Sequence, residues 1–166
     1  MALSLYDISL PVFVRGLAQL SHVLDKGLAH AQAAGSDPAA LVNARLAPDM
    51  FTLAGQVQCA ADGAKAGAAR LAGLAPPAFP DTEKTFAELQ ARIAKTRDFL
   101  DGIERAQIDG GEQRAITVAR HGLHFTGQQY LLQFVLPNFF FHVTMAYAVL
   151  RANGVALGKR DYRGEF

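Results

Sequence analysis

The chain has a single cysteine, Cys59. That excludes an intrachain disulfide framework and a multi-thiolate zinc site. Charge is sparse and nearly balanced: 16 Lys and Arg against 15 Asp and Glu, a net charge of +1. No cationic surplus of the kind that drives phosphate-backbone binding is present, so no nucleic-acid partner is expected. There is no glycine-rich phosphate loop, HExxH, CxxC or GxSxG. Phosphate-loop, zincin, thioredoxin-like and α/β-hydrolase chemistries are therefore set aside. The N-terminus lacks a basic n-region, and Asp7 and Arg15 interrupt any apolar stretch. No signal peptide is expected, and the cytoplasm is the expected compartment. Between Arg120 and Arg151 there is no charged residue at all.

What is present is a core-forming composition. Hydrophobic residues make up 51% and charged residues 19% of 166 positions. This excludes disorder as the main state and predicts one domain over residues 1–166. Within the uncharged stretch, Tyr130 to Leu150 is long enough to span a bilayer. Gln133, Pro137, Asn138, His142 and Thr144 are spread along it, however, and lipid would leave them unsatisfied. A central helix covered on most sides by protein is the better reading, with no membrane partner.

Four helical patterns run along the chain. In the first, Ser4 to Ala34, Phe13, Leu17, Leu20, Leu24 and Leu28 are spaced by 3 or 4. Pro11 demands either a kink or a lead-in turn ending at Leu10, and Gly35 stops the helix. Ser36-Asp37-Pro38 opens a short helix through Asn43. The second pattern, Asp49 to Gly73, carries a stripe from Met50 to Leu71 whose alanine-rich half allows close helix approach. Pro76, Pro77 and Pro80 make an extended connector. Asp81 or Thr82 then caps the third helix, Thr82 to Ile103, with Phe86, Leu89, Ile93, Thr96, Leu100 and Ile103 as a heptad-like seam. Ile116-Thr117-Val118 and Leu123-His124-Phe125 flank a turn at Gly122 and predict a small β-hairpin. Thr126 and Gln129 form a capping box for the fourth helix, which Gly154 ends. The residues after Gly158 are expected to be a solvated charged tail. The pattern predicts an all-α fold, a four-helix bundle with a β-hairpin before the last long helix.

Candidate chemistry is thin. His22 and His30 read as surface or helix-end residues, His121 as a solvated turn residue, and His124 as facing away from Leu123 and Phe125. His142 sits in the middle of the uncharged helix, where an imidazole is buried, held neutral and in need of a partner. Asn138 lies one turn earlier. Gln56 borders the apolar stripe of the second helix. Asp7 and Asp49 read first as cap or helix-start carboxylates, and Cys59 as an inert core or boundary thiol. Tyr130, Phe134, Phe139, Phe140, Phe141 and Tyr147 cover more than one face of the last helix. Either that helix is central or one face meets a second subunit; a homodimer through the bundle helices is expected.

The stretches Leu5-Tyr6-Asp7, Arg45-Leu46-Ala47-Pro48-Asp49-Met50-Phe51, Phe125-Thr126-Gly127, Leu136-Pro137-Asn138-Phe139-Phe140-Phe141-His142 and Leu157-Gly158-Lys159-Arg160-Asp161 resemble an uncharacterised bacterial branch of the DinB/YfiT-like superfamily. The resemblance covers nearly the whole chain. It implies a four-helix bundle with a long connection, often a dimer, and a superfamily rich in metalloenzymes. Their nickel or zinc is held by three histidines, one on helix two and two at i, i+4 on the last helix. Some relatives are thiol-dependent transferases or isomerases. Carried over residue by residue, His142 falls at the second of the paired histidines, Asn138 at the first, and Gln56 at the helix-two position. The implied metal site, His142, Asn138 and Gln56, thus has two amides in place of imidazoles, and amide oxygen is a weak ligand for nickel or zinc.

Two functions follow. One is a small-molecule-binding protein or a metal- or thiol-dependent, transferase- or hydrolase-like enzyme, with His142 as catalytic base and Gln56, Asn138 and Tyr147 as ligand contacts. It predicts a cavity on which Gln56, Asn138 and His142 converge. The other is a non-catalytic homodimeric module, in which the same groups are packed and bonded to each other.

Overall fold

The computed structural model describes residues 3–164. The main helices are α1 (Leu10–Ala33), α3 (Leu53–Leu71), α4 (Phe86–Asp101) and α6 (Gly127–Ala152), with short helices α2 (Pro38–Val42), α5 (Arg105–Ile108) and α7 (Lys159–Arg163). Strands β1 (Ala115–Val118) and β2 (Leu123–Thr126) pair antiparallel ahead of α6, with Ile116 opposite Phe125 and Thr117 opposite His124. The four long helices pack around one core of buried residues that includes Phe13, Leu17, Leu20 and Leu24 of α1 and Leu89, Ile93 and Leu100 of α4. This is the expected helical bundle with its hairpin.

Local chemistry explains where each helix starts. The residues ahead of Pro11 form the lead-in turn, with Ser9 Oγ donating to the Leu5 carbonyl at 2.7 Å, so Pro11 falls in the first turn, where its missing N–H costs nothing. Asp7 is held by Arg105 of α5 and by Ser4. Its side-chain bond to Arg105, reinforced by Ser4, lowers its pKa to about 2. Two predicted starts move. The second long helix begins at Leu53, capped by Thr52 Oγ1 on the Gly55 N–H, and Asp49 lies exposed in the preceding turn. The third begins at Phe86, because Thr85 and Glu88 form a reciprocal capping box that Asp81 and Thr82 lack.

The fourth helix is capped by Thr126 and Gln129 as expected, but it is not uniform. Residues Tyr130–Val135 widen into a π-helical segment directly before Pro137. A proline cannot donate to the carbonyl four residues back and its ring crowds that group, and the wider turn relieves both. Nor is α6 a central rod. Its length and composition would suffice to cross a membrane, and a third of its most apolar window is buried. It is one wall of the bundle, with Leu132 44%, Phe140 36% and Phe141 52% exposed. The charged tail is also not freely solvated: Asp161 of α7 accepts from Lys26 at 2.9 Å, meets His22 at 3.1 Å, and accepts the Gly158 N–H at 2.7 Å. The Lys26 bond, then the Gly158 N–H and His22, hold that carboxyl far below the ordinary range.

The proline connector is fastened by α4. Arg92, whose side chain is 1% exposed, reaches Asp62 of α3 and Asp81 and Glu83 of the connector at 2.9–3.0 Å, and donates to the Pro80 carbonyl at 2.9 Å. The Phe79 ring has Lys65 Nζ at 4.0 Å and Lys95 Nζ at 4.1 Å from its centroid. Removing the guanidinium strands three carboxylates, of which Asp62 and Asp81 reach water. Arg92→Met is therefore expected to lower the unfolding free energy in urea by about 2–4 kcal/mol; a loss below about 0.5 kcal/mol would show that the connector is held by other contacts.

Candidate functional site

Close approach of α3 and α6 builds the site. Ala60, Ala64 and Ala68 on α3 are fully buried, and Gly67 takes Val135 so tightly that a Cβ there would lie 2.6 Å from its Cγ1. At this separation a glutamine on one helix reaches an imidazole on the other. Gln56, 1% exposed, and His142, 8% exposed, are joined by a 2.8 Å bond between Oε1 and Nδ1.

The amide's other end decides its orientation. Gln56 Nε2 donates to the Phe51 carbonyl at 3.4 Å, which aims Oε1 at the imidazole. An amide oxygen only accepts, so Nδ1 carries the hydrogen and donates. His142 is thereby set as the Nδ1–H tautomer, with its lone pair on Nε2. Nε2 has no hydrogen-bond partner among the described residues, and it is not sealed from solvent, since the one sealed side-chain polar atom lacking a partner among those residues is Arg92 Nε. Burial lowers the pKa of His142 below the ordinary value of 6.5, so the ring is neutral at pH 7.

Two phenyl rings flank it. Phe141 stands edge-on at 5.3 Å between centroids and Phe51 lies tilted at 6.3 Å. Both are well exposed, at 52% and 59%. The result is a neutral acceptor, backed by an amide and bordered by two aromatic walls that face solvent. Such a group accepts a hydrogen bond, or a proton, from an O–H, N–H or S–H brought against Nε2.

The other sequence-predicted residues lie elsewhere. Asn138 is exposed on α6, beside Gly63, and makes no bond to His142 or Gln56. Tyr147 donates to the Leu157 carbonyl at 3.5 Å and packs edge-on against Tyr162 at 5.9 Å, so it anchors the C-terminal segment. Cys59 is half-buried on α3, and burial raises its pKa. His124 faces outward, bonded to Thr117 Oγ1 at 3.1 Å. Sequence reasoning missed the walls: Phe51 sits in a loop with no periodicity to mark it, and Phe141 was read only as one of a run of aromatics.

The donor set does not fit zinc or nickel. A tetrahedral ion about 2.1 Å from each of two donors would hold them about 3.4 Å apart, whereas Nδ1 and Oε1 are in direct hydrogen-bond contact at 2.8 Å. Nε2 alone is one ligand, and among the described residues no three His, Cys, Asp or Glu side chains gather at one point.

Comparison with known proteins bears on the fold and family. A family model for a domain of unknown function, DUF1993, matches residues 5–163. A crystal structure of a DinB family member protein from Shewanella denitrificans is similar over 98% of this chain and 93% of its own, with 40% identity and a TM-score of 0.92. The chain belongs to the DUF1993 family of DinB-like domains. No curated protein matches it. In this DUF1993 domain the Gln56–His142 pair therefore lies across the two helices that the sequence resemblance had singled out.

The DUF1993 domain should lose stability in mild acid through His142. A buried neutral imidazole with a lowered folded pKa makes the unfolded state the stronger proton binder. Its contribution is complete above pH 6.5 and is lost as pH falls through the folded value. The unfolding free energy of the natural protein minus that of His142→Gln is thus expected to rise between pH 5 and 7 in urea titrations. A flat or falling difference would mean that the ring is not held neutral.

Proposed function

We propose that this domain is a metal-independent small-molecule-binding protein in which neutral His142 receives a protic group at Nε2 and acts as general base toward it. The single supporting observation is the chain of bonds from the Phe51 carbonyl through the Gln56 amide to His142 Nδ1–H. That chain spends both ends of the amide on fixing one tautomer, which suits a directed acceptor and leaves no ligand pair for a metal. Phe51 and Phe141 supply apolar walls for a flat ligand body. Small-molecule sites commonly combine such walls with one or two oriented polar groups.

A second reading has its own support. Two half-exposed phenyls on one face are also what a subunit interface uses, and in a non-catalytic homodimer Phe51 and Phe141 would be interface contacts.

Titration with phenol, followed by NMR of the His142 Cε1–H, separates the two while light scattering reports the mass. The binding reading expects a saturable His142 shift that Phe141→Ala weakens by about fivefold, in a species of 17.8 kDa. A species of twice that mass which Phe141→Lys splits, with no phenol-dependent shift, overturns it in favour of the interface.

A further inference from the structure

We propose that Phe51 is a switch on the site: seated against Gly55 it holds His142 as an acceptor, and lifted away it lets the same ring present an Nε2–H donor to a second class of ligand. This deepens the binding role proposed for His142 and rests on it. Phe51 meets the Gln56–His142 pair from both of its ends. Its ring is a wall 6.3 Å from the imidazole, and its carbonyl accepts from Gln56 Nε2 at 3.4 Å. That carbonyl selects the amide's orientation. Turned over, the amide would offer Nε2 to Nδ1 and point Oε1 at the Phe51 oxygen, and two acceptors facing each other repel. With Phe51 off its seat the reversed amide is free to form. A donor against Nδ1 leaves the hydrogen of a neutral ring on Nε2. Nδ1 gives its proton to water and Nε2 takes one from water, so the ring is neutral in both states.

The seat is shallow. The bond to Gln56 is the one hydrogen bond Phe51 makes among the described residues, and it is longer than the usual range of about 2.7–3.2 Å. The ring is 59% exposed. It lies against Gly55, where a Cβ would stand 3.1 Å from Phe51 Cβ and 3.4 Å from its Cγ, so a side chain there would press the ring from its place. The chain on either side is pinned independently. The Met50 N–H donates to the Ala47 carbonyl at 3.0 Å, the Leu53 N–H to the Ala44 carbonyl at 2.8 Å, and Thr52 Oγ1 caps α3. Phe51 can therefore leave without unwinding α3. A flat ligand that donates to Nε2 favours the seated state, and one that only accepts favours the lifted state; each shifts the balance by its own preference. The two ligand classes are aromatic O–H or N–H donors and aromatic molecules whose polar group is an acceptor alone.

The probes are phenol, a donor, and pyridine N-oxide, which accepts but cannot donate, each titrated into the ¹⁵N-labelled natural protein at pH 7. Saturating phenol is expected to keep His142 protonated at Nδ1. Saturating pyridine N-oxide is expected to move the proton to Nε2 and to shift the Gln56 side-chain amide, which loses its acceptor. Gly55→Val, which presses Phe51 from its seat, should weaken phenol binding by about fivefold and strengthen N-oxide binding by a similar factor. Should Gly55→Val fail a circular dichroism check for folding, the two titrations of the natural protein still decide. N-oxide bound with the ring still protonated at Nδ1 overturns the switch. So does phenol binding with no saturable N-oxide binding, a result that leaves the acceptor role of His142 standing. If neither probe binds, that role and the switch fall together.

Discussion

The seam between α3 and α6 is the constraint on which the rest depends. Alanines and glycines on α3 let the two backbones close in, Gly67 against Val135 being the tightest point. Only at that spacing does Gln56 touch His142 without an intervening water. Bulkier residues on α3 would separate the helices, and the imidazole would then be a buried polar group with half its needs unmet. The same seam turns the remainder of α6 outward, which is why Phe140 and Phe141 stand at the surface.

The pair is chemically different from the triad of histidines the superfamily resemblance implies. Three imidazoles offer lone pairs to an ion. An amide and one imidazole satisfy each other, and the imidazole's remaining lone pair is directed outward. Geometry enforces the distinction, since a 2.8 Å contact has no room for an ion between its ends. What survives from the resemblance is the position across α3 and α6; what changes is the chemistry available there.

Much of the fold was legible because periodicity and capping are local. The stripe on α1, the seam on α4 and the Thr126–Gln129 box all report backbone geometry within a few residues. The shifted starts of α3 and α4 have a local cause too: Thr52 accepts the Gly55 N–H and Thr85 shares a reciprocal box with Glu88, so the caps lie downstream of Asp49 and Asp81. Other features depend on distant partners. Nothing near Arg92 announces that it will be buried under Asp81 and Glu83, and nothing near Phe51 announces a ring beside His142. The depth of α6 was overestimated because a run without charge reads the same whether it is enclosed or is a wall with an apolar outer face. Asn138 shows the limit of i, i+4 reasoning: it is one turn from His142 and also borders α3, beside Gly63, yet it lies at the exposed edge of the seam while His142 is buried within it.

The tautomer of His142 carries the central claim, and long-range ¹H–¹⁵N NMR on the labelled protein at pH 7 reads it directly. A neutral ring protonated at Nδ1, with Nε2 at the shift of an unprotonated imidazole nitrogen, is the expected result. A ring protonated at Nε2 alone would contradict the bond to Gln56 Oε1, and a doubly protonated ring would keep that bond but contradict the acceptor role assigned to this site.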